Sequence, residues 1–419
     1  MNLYQELLWR GFIYQESEGA REALSSGHVT GYIGFDPTAE SLHVGSLLPI
    51  MGLVHLQRHG HTAIAVVGGA TGMIGDPSGK SKERILLSED VLRRNQEGIK
   101  RQLERFLSFT GENPALIVNN YDWTANVSII QFLRDIGKNF TVNYMLSKES
   151  VRRRLEGEGI SFTEFSYMLL QAYDFLYLYD NYNCILQMGG SDQWGNITAG
   201  IDLIRKVRGG RAYGIVFPLV TTATGTKFGK TEEGTIWLDE KLTSPYRFYQ
   251  FWINADDKDV IKYLKFFTLL SKEEIDELEE ELKERPEKRV AHKKLAEEIT
   301  RMVHGEEGLR KAQKATAVLF GGSFEGLSLK ELEEIFHHVP SFEIQKENLS
   351  NLTIPELAAI SGLVKSKGEA KRLISSGGLY INNIKVDSPS SKIEPHQLIE
   401  GKLLILRKGK KGFLLVRVK

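Results

Sequence analysis

Between about residues 28 and 222, short unbroken apolar runs alternate with stretches whose apolar positions recur every three to four residues. "VTGYIGFD" reads as a strand entering a turn, "SLLPIMGLVHLQRHG" as a helix, and "TAIAVVGGA" as a buried strand ending in glycines. "ALIVNNYDW", the helix "TEFSYMLLQAYDFLYLY", the strand "CILQMGG" and the helix "NITAGIDLIRKV" continue the alternation. Strands apolar at every position are buried on both faces, so the pattern predicts an α/β fold with helices covering both sides of a parallel sheet. Ligands of such sheets lie at the carboxyl ends of the strands. Pro49 lies inside the first helix; without an N–H it would leave the Gly45 carbonyl unpaired, which predicts a local kink. From about 245 to 320 the pattern is purely helical, with Pro286 suited to a helix start. The stretch "FGGSFEGLSL" then loosens the chain, and a final unit begins near Leu349.

A chain of 419 residues predicts two or three domains, and 41% apolar with 26% charged residues is the composition of a globular protein. The single cysteine, Cys184, excludes an intrachain disulfide and suggests no secretion. The start "MNLYQELLWRGF" carries Glu6 and Arg10, unlike a signal peptide, and no run approaches the roughly 20 apolar residues of a membrane span. A cytoplasmic protein without a membrane partner is expected. The net charge of zero hides an asymmetry: residues 349–419 hold 13 Lys and Arg against five Asp and Glu, leaving 41 basic and 49 acidic residues elsewhere. A basic tail on an acidic body suggests a polyanionic partner.

Five stretches combine chemistry with a strand end or helix start. "PTAESLHVGS", residues 37–46, places a histidine, a glycine and hydroxyls at a helix start, where ordinary capping would need only Ser41. "GGATGMIGDPSGK", residues 68–80, is glycine-rich, but counting back from Gly79-Lys80-Ser81 puts Ile74 where a P-loop needs glycine. The dinucleotide glycine spacing is not met either. Tyr167, Gln171 and Asp174 recur at i, i+4 and i+7, drawing one polar stripe on an otherwise apolar helix. Such a stripe faces water or must find partners, since each unsatisfied buried group costs about 1–3 kcal/mol. "QMGGSDQWGN", residues 187–196, ends a strand in glycines followed by Asp192, a group suited to ribose hydroxyls. "TTATGTKFGKTEEGT", residues 221–235, carries Lys227 and Lys230 in a loop with no evident apolar pin, suggesting a mobile segment that delivers positive charge.

Taken together, these residues resemble the class I aminoacyl-tRNA synthetases, most closely their bacterial tyrosyl branch. "HVGS" at 43–46 is similar to the HIGH signature and "KFGKT" at 227–231 to the KMSKS signature, in the right order and over the whole chain. The resemblance implies activation of L-tyrosine by ATP to tyrosyl-adenylate and pyrophosphate, then transfer to the 3′ end of tRNA(Tyr), with Mg²⁺ accompanying ATP. It implies no prosthetic group, and no protein ligand set for a metal is visible. The attacking carboxylate is already ionised, so the first step needs positioning and preorganised positive charge, not a general base. By resemblance, Thr38, His43, Lys80, Arg84, Lys227 and Lys230 would act on the phosphates. The nucleotide would lie along Gly34, Asp36, Gly45, Ser46 and Thr231, with Asp192 and the Gly190 backbone at its ribose and Gln193 close by. A helix starting near His43 would aim free N–H groups at a phosphate, and Gly45 would make room for the nucleotide. Tyr32 and Asp174 would grip the phenol hydroxyl. Asp76, Asn120, Tyr167, Gln171 and Gln187 would complete the tyrosine site. Ser46 departs from HIGH, Phe228, Gly229 and Thr231 depart from KMSKS, and Ile33 replaces a ribose-facing cysteine of some relatives.

"PELAAISGLVKSKGEAKRLISSGGLYINNIKV", residues 355–386, resembles the RNA-binding module of ribosomal protein S-four. Lys365, Lys367, Lys371 and Arg372, with Arg407, Lys408, Lys410 and Lys411, would attract a phosphate backbone. The implied organisation is a Rossmann-like nucleotide-binding catalytic domain at 1–222 and a mobile signature loop at 223–244. A helical anticodon-side domain at 245–322, a linker at 323–348 and a small α+β RNA-binding domain at 349–419 follow. The resemblance also implies a homodimer, with "IIQFLRDIGKNFTVNYML" as its interface. A non-catalytic RNA-binding descendant would be expected to lack His43, Asp174 or the loop lysines, all of which are present. An RNA-modifying enzyme would leave the ATP-type signatures unexplained, and the sister tryptophanyl enzymes have no use for a phenol-gripping pair.

Overall fold

The computed structural model describes residues 1–78, 87–157, 159–222, 228–231, 234–319, 321–337, 339–409 and 412–419, with the backbone alone at 230 and 231. Its chain divides into a first body of residues 1–242 and 253–303 and a second of residues 243–252 and 304–419.

In the first body, β1 (Gln15–Glu16), β2 (Thr30–Phe35), β3 (Thr62–Val67), β4 (Leu116–Asn119), β5 (Cys184–Gly190) and β6 (Tyr213–Phe217) form one sheet in the order β1-β6-β5-β2-β3-β4. Five strands are parallel, and the short β1 runs antiparallel beside β6. The apolar runs of the sequence become these strands; β3, for example, is buried from Ala63 to Val67. From β2 the chain steps outwards through β3 and β4, then returns to lay β5 on the other side of β2. Strand order therefore reverses between β2 and β5, and a crevice opens at their carboxyl ends.

Helix Leu47–Arg58 is buried on nearly every side because it packs between the sheet and the helix Val260–Phe267. It begins only at Leu47, after a 3₁₀ turn at Val44–Ser46. Pro49 is thus its third residue, where an N–H has no intrahelical partner to lose. The Gly45 carbonyl lies outside the helix, so the kink expected from Pro49 does not arise. The long helix Phe162–Tyr182 starts at Ser161, whose side chain accepts the Glu164 N–H, and ends at the left-handed Asn183 (φ 51°). It packs against the helix Trp194–Arg208 over the β2 and β5 side of the sheet. β7 (Lys230–Thr231) and β8 (Gly234–Thr235) pair as a small antiparallel hairpin.

The second body holds helix Pro245–Ile253 up to residue 252, the end of helix Val290–Val318 and a five-stranded sheet. β9 (Ser341–Ile344), β10 (Leu379–Ile381), β11 (Ile384–Lys385), β12 (Leu403–Lys408) and β13 (Gly412–Val418) lie in the order β11-β10-β12-β13-β9. Successive strand residues face opposite ways. Leu404, Leu406, Leu414 and Val416 join a core with the helices Ile354–Ile360 and Lys367–Ser375. Leu403, Ile405 and Leu415 join a second core with Ala315, Val318, Phe324, Leu327, Leu332 and Phe336. Residues 323–348, read from the sequence as a linker, supply β9 and part of this second core, since the outer face of the sheet needs an apolar cover. No helix among the described residues is long and apolar enough to cross a membrane.

Candidate active site

The crevice between β2 and β5 is a cleft of about 400 Å³ in the first body. Into it open Tyr32, Gly34, Asp36 and Thr38 after β2, His43, Gly45 and Ser46 at the 3₁₀ turn, and Asp76 and Asn120. Tyr167, Gln171 and Asp174 face it from the long helix, and Gln187, Gly190, Asp192 and Gln193 from the β5 end. The described side chains expected to bind tyrosine or ATP thus share one cleft. Lys80, Arg84 and Lys227 lie outside the described residues, and Lys230 and Thr231 are described only as backbone of β7.

One end of the cleft is a closed polar chamber. Tyr32 and Gln187 are register neighbours on β2 and β5, both 2% exposed. The Tyr32 Oη and Gln187 Oε1 are buried without a hydrogen-bond partner. Burial, then the nearby Asp174, raises the Tyr32 phenol well above its ordinary pKa, so it stays a donor. The Asp174 carboxylate accepts from Trp123 Nε1 at 2.8 Å and from Asn120 Nδ2 at 2.9 Å. Burial nevertheless pushes its pKa up to about 7, and the two donors only partly offset that.

A relay of hydrogen bonds leads away from this carboxylate. Asn120 also donates to Thr71 Oγ1 at 3.0 Å and accepts from the Ala70 N–H at 2.7 Å. Thr71 donates to Asp36 Oδ1 at 2.9 Å, and Tyr167 Oη donates to Asp36 Oδ2 at 3.0 Å. Beside it, Asp76 accepts from Gln193 Nε2 at 2.7 Å and from the Ser78 N–H at 2.8 Å. Gln193 Oε1 accepts from Gln171 Nε2 at 3.2 Å, and Asn196 Nδ2 donates to Gln171 Oε1 at 3.1 Å. Asn120, expected to help complete the tyrosine site, lines the cleft and orients Asp174 through its amide. Asp36, expected along the nucleotide, is the anchor that holds Tyr167 and Thr71. Trp123, Thr71, Ser78 and Asn196 escaped the sequence reading. Trp123 lies 51 positions from Asp174, and its stacking on Tyr177, at 4.5 Å and 12°, leaves no trace in local periodicity.

Trp123→Phe keeps the stack but removes a donor from Asp174. The carboxyl then titrates roughly one unit above its present value, because a hydrogen bond to a charged group contributes about 1.5–3 kcal/mol, part of which persists for the protonated form. Tyrosine-dependent activity at pH 7 is expected to fall several-fold and to recover at pH 8.5, which a pH profile of pyrophosphate exchange measures.

At the other end of the cleft, the two signature stretches meet. The His43 ring folds back so that Nδ1 accepts the Gly45 N–H at 3.0 Å, which places the neutral ring's proton on Nε2. A side-chain carbon at Gly45 would come within 2.7 Å of that ring, so Gly45 makes room for His43 itself, a role its expected contact with the nucleotide did not include. The preceding turn is held by Asn95 and Gln102, which bond Pro37 O at 2.9 Å and the Leu42 N–H at 2.8 Å. Residues 236–238 run alongside: the Val44 N–H bonds Ile236 O at 3.0 Å and the Leu238 N–H bonds Leu42 O at 2.9 Å. Gly229, at φ 79°, passes so close to Val44 that a side-chain carbon there would stand 2.6 Å from Val44 Cγ2. Phe228 is buried, stacked on Phe267 at 5.5 Å and tilted against Tyr263 at 5.1 Å. The loop expected to lack an apolar pin therefore has one at Phe228. Gly229 thus stands against Val44 and Gly45, at the turn whose His43 and Gly45 line the cleft.

In the second body, Lys365, Lys371 and Arg372 are exposed, while Lys367 pairs with Glu356 at 2.9 Å and Lys408 with Glu369 at 2.6 Å. Arg407, expected on the RNA-facing surface, is 8% exposed. Its guanidinium lies 3.8 Å from the Tyr380 ring centre and bonds Asn383 and Gly409, so packing has claimed it. Lys410 and Lys411 lie outside the described residues. Among the described residues no group of three or more His, Cys, Asp or Glu is placed to hold a metal ion.

A doubly wound sheet with donors converging at its switch point, followed by a basic tail, describes a synthetase body with an RNA-binding module. Residues 24–321 match the family model of the class I tRNA synthetases for tryptophan and tyrosine, and the chain belongs to that family. Residues 331–416 match the C-terminal domain model of tyrosine–tRNA ligases. The chain is 53% identical to the tyrosine–tRNA ligase of Roseiflexus castenholzii over 99% of both chains, and 53% identical to that of Geobacillus kaustophilus over the full length of both. The crystal structure of a C-terminally truncated mitochondrial tyrosyl-tRNA synthetase from Aspergillus nidulans superposes with a TM-score of 0.69 at 31% identity, covering 76% of this chain and 94% of that one. A tryptophan-bound tryptophanyl-tRNA synthetase from Encephalitozoon cuniculi shares the fold, with a TM-score of 0.52 at 15% identity over 73% of this chain and 87% of that one. The sheet is thus common to both branches of the family, and the full-length identity to tyrosine–tRNA ligases, with the matching C-terminal domain, marks the tyrosyl branch.

Proposed function

We propose that the closed chamber binds the tyrosine phenol in the reaction that this chain carries out. It activates L-tyrosine with ATP, giving tyrosyl-adenylate and pyrophosphate, and transfers the tyrosyl group to the 3′ end of tRNA(Tyr). The observation that carries the specificity is the unpartnered Tyr32 Oη beside the Asp174 carboxylate. A phenol placed between them accepts from Tyr32 and donates to Asp174, satisfying both. The α-ammonium group pairs with the oxygens of Asp76, Tyr167 and Gln171, and Gln187 closes the chamber floor. The tyrosine carboxylate is thereby held in line to attack the α-phosphate. Expulsion of pyrophosphate balances that step, and no side chain need act as a nucleophile.

His43, with Thr38, supplies donors preset for the phosphate charge that grows during attack. Lys80, Arg84, Lys227 and Lys230 add cations there, and Asp192 with the Gly190 backbone holds the ribose. Magnesium enters with ATP, bound through its phosphates. The exposed Lys365, Lys371 and Arg372 meet the tRNA backbone. Two copies pair through residues 129–146, where Ile129 (74%), Ile130 (71%) and Val142 (61%) stand exposed, an arrangement that favours a covered face. The protein works in the cytoplasm.

Amino-acid-dependent exchange of labelled pyrophosphate into ATP tests the reading. Tyrosine should support it, while phenylalanine leaves the Tyr32 hydroxyl unpaired and forfeits the bond to Asp174, at about 1–3 kcal/mol each, a handicap of roughly 30- to 25,000-fold. Tryptophan should fail as well. Exchange driven equally by phenylalanine would overturn the phenol chamber.

A further inference from the structure

The hairpin joining β10 and β11 turns through Asn382 and Asn383, both left-handed at φ 49° and 65°. A two-residue turn of this kind prefers glycine at its second position, and a residue with a side chain pays roughly 1–2 kcal/mol for left-handed geometry there. Asn383 is nevertheless fully used. Its Nδ2 donates at 2.9 Å to Val318 O, at the end of helix Val290–Val318, and at 2.9 Å to Gly322 O. Its Oδ1 accepts from Arg407 Nε at 2.7 Å. Arg407 is locked in turn by Gly409 O and the Tyr380 ring. Asn382 ties the same turn to its own sheet, through the Ile405 N–H at 2.9 Å and Gln397 O at 2.6 Å. The apolar core beneath holds helix end and sheet together without fixing direction, since burial is non-directional. The hydrogen bonds of Asn383 supply that direction.

We propose that Asn383 is a positioning residue for tRNA charging: it sets the orientation of the C-terminal RNA-binding sheet on the end of helix Val290–Val318 within the second body, so that one tRNA meets both as a rigid surface. This rests on the reading of the tail as tRNA-binding. A preset pair of contact surfaces acts at high effective concentration, whereas a loosened pair must be ordered anew at each encounter.

The test uses full-length protein. Asn383→Gly retains, and even eases, the turn while deleting the side-chain bonds, so the unfolding midpoint stays within a few degrees. The expected result is a KM for tRNA raised about tenfold, with kcat at saturating tRNA and pyrophosphate exchange unchanged. Spin labels at the exposed Arg310 and Glu394 should show a broadened distance distribution; the buried Cys184 remains unlabelled. Both changes together support the proposal, and either one without the other overturns it, as does the absence of both. Lys371→Glu with Arg372→Glu separates the causes of failure. If that pair raises the KM for tRNA and Asn383→Gly does not, the positioning role alone is wrong. If neither does, the tail is not the tRNA contact.

Discussion

Replacing Asp174 by Ala is expected to cut tyrosine-dependent pyrophosphate exchange about a thousandfold or more, while leaving the fold intact. The carboxylate accepts from Trp123 and Asn120 and is the acceptor proposed for the substrate phenol. Its loss strands several buried donors, each worth about 1–3 kcal/mol. Titration adds a second signature. The native pKa of about 7 stands above the ordinary 3.8, so the native state holds this proton more tightly than the unfolded chain does. The resulting stabilisation is complete below about pH 4 and is lost as pH rises through 7; at pH 8 the ionised carboxylate costs the fold on the order of 4 kcal/mol. Asp174→Asn removes that dependence. Urea unfolding should show its stability relative to the parent improving steadily from pH 4 to 8, and a flat difference would refute the raised pKa. In the parent, kcat/KM for tyrosine should fall as pH drops below about 7, because a protonated Asp174 no longer accepts the phenol proton.

His43→Asn is expected to lower kcat for tyrosine activation by about 100- to 1,000-fold, the usual cost of one preset donor to developing charge, and to leave KM for tyrosine unchanged. Asparagine can still accept the Gly45 N–H and cap the turn, but it has no second ring nitrogen to carry a proton as Nε2 does. The split between kcat and KM is the informative readout. His43 stands at the end of the crevice proposed for the phosphates and the phenol chamber at the other, so a matching rise in KM for tyrosine would mean that the two ends are not separate. Single-turnover measurements of adenylate formation distinguish these outcomes.

The chemical inventory of the site was legible in the chain. Tyr32, His43, Asp76, Tyr167, Gln171, Asp174 and Gln193 carry polar groups at strand ends or on one stripe of an apolar helix, where local rules leave them unexplained. The structure gathers them into one cleft. Their partners were not legible. Asp36 meets Tyr167 across 131 positions and Gln193 meets Asp76 across 117. Asn120 has the same composition whether it faces a substrate or a carboxylate. Arg407 reads as one more cation in a basic tail, yet it is stacked and buried.

By itself the sequence determined the alternation that makes a parallel sheet, the reversal-prone α/β class, and the residues that needed an explanation beyond packing. These follow from periodicity and local backbone preference, which act over a few neighbouring positions. The tertiary structure alone decided which donor faces which acceptor, that His43 folds back over Gly45, that Phe228 anchors its loop, and that Phe324, Leu327, Leu332 and Phe336 belong to a core. Each depends on contacts between segments far apart in the chain, whose distances and burial no local pattern encodes.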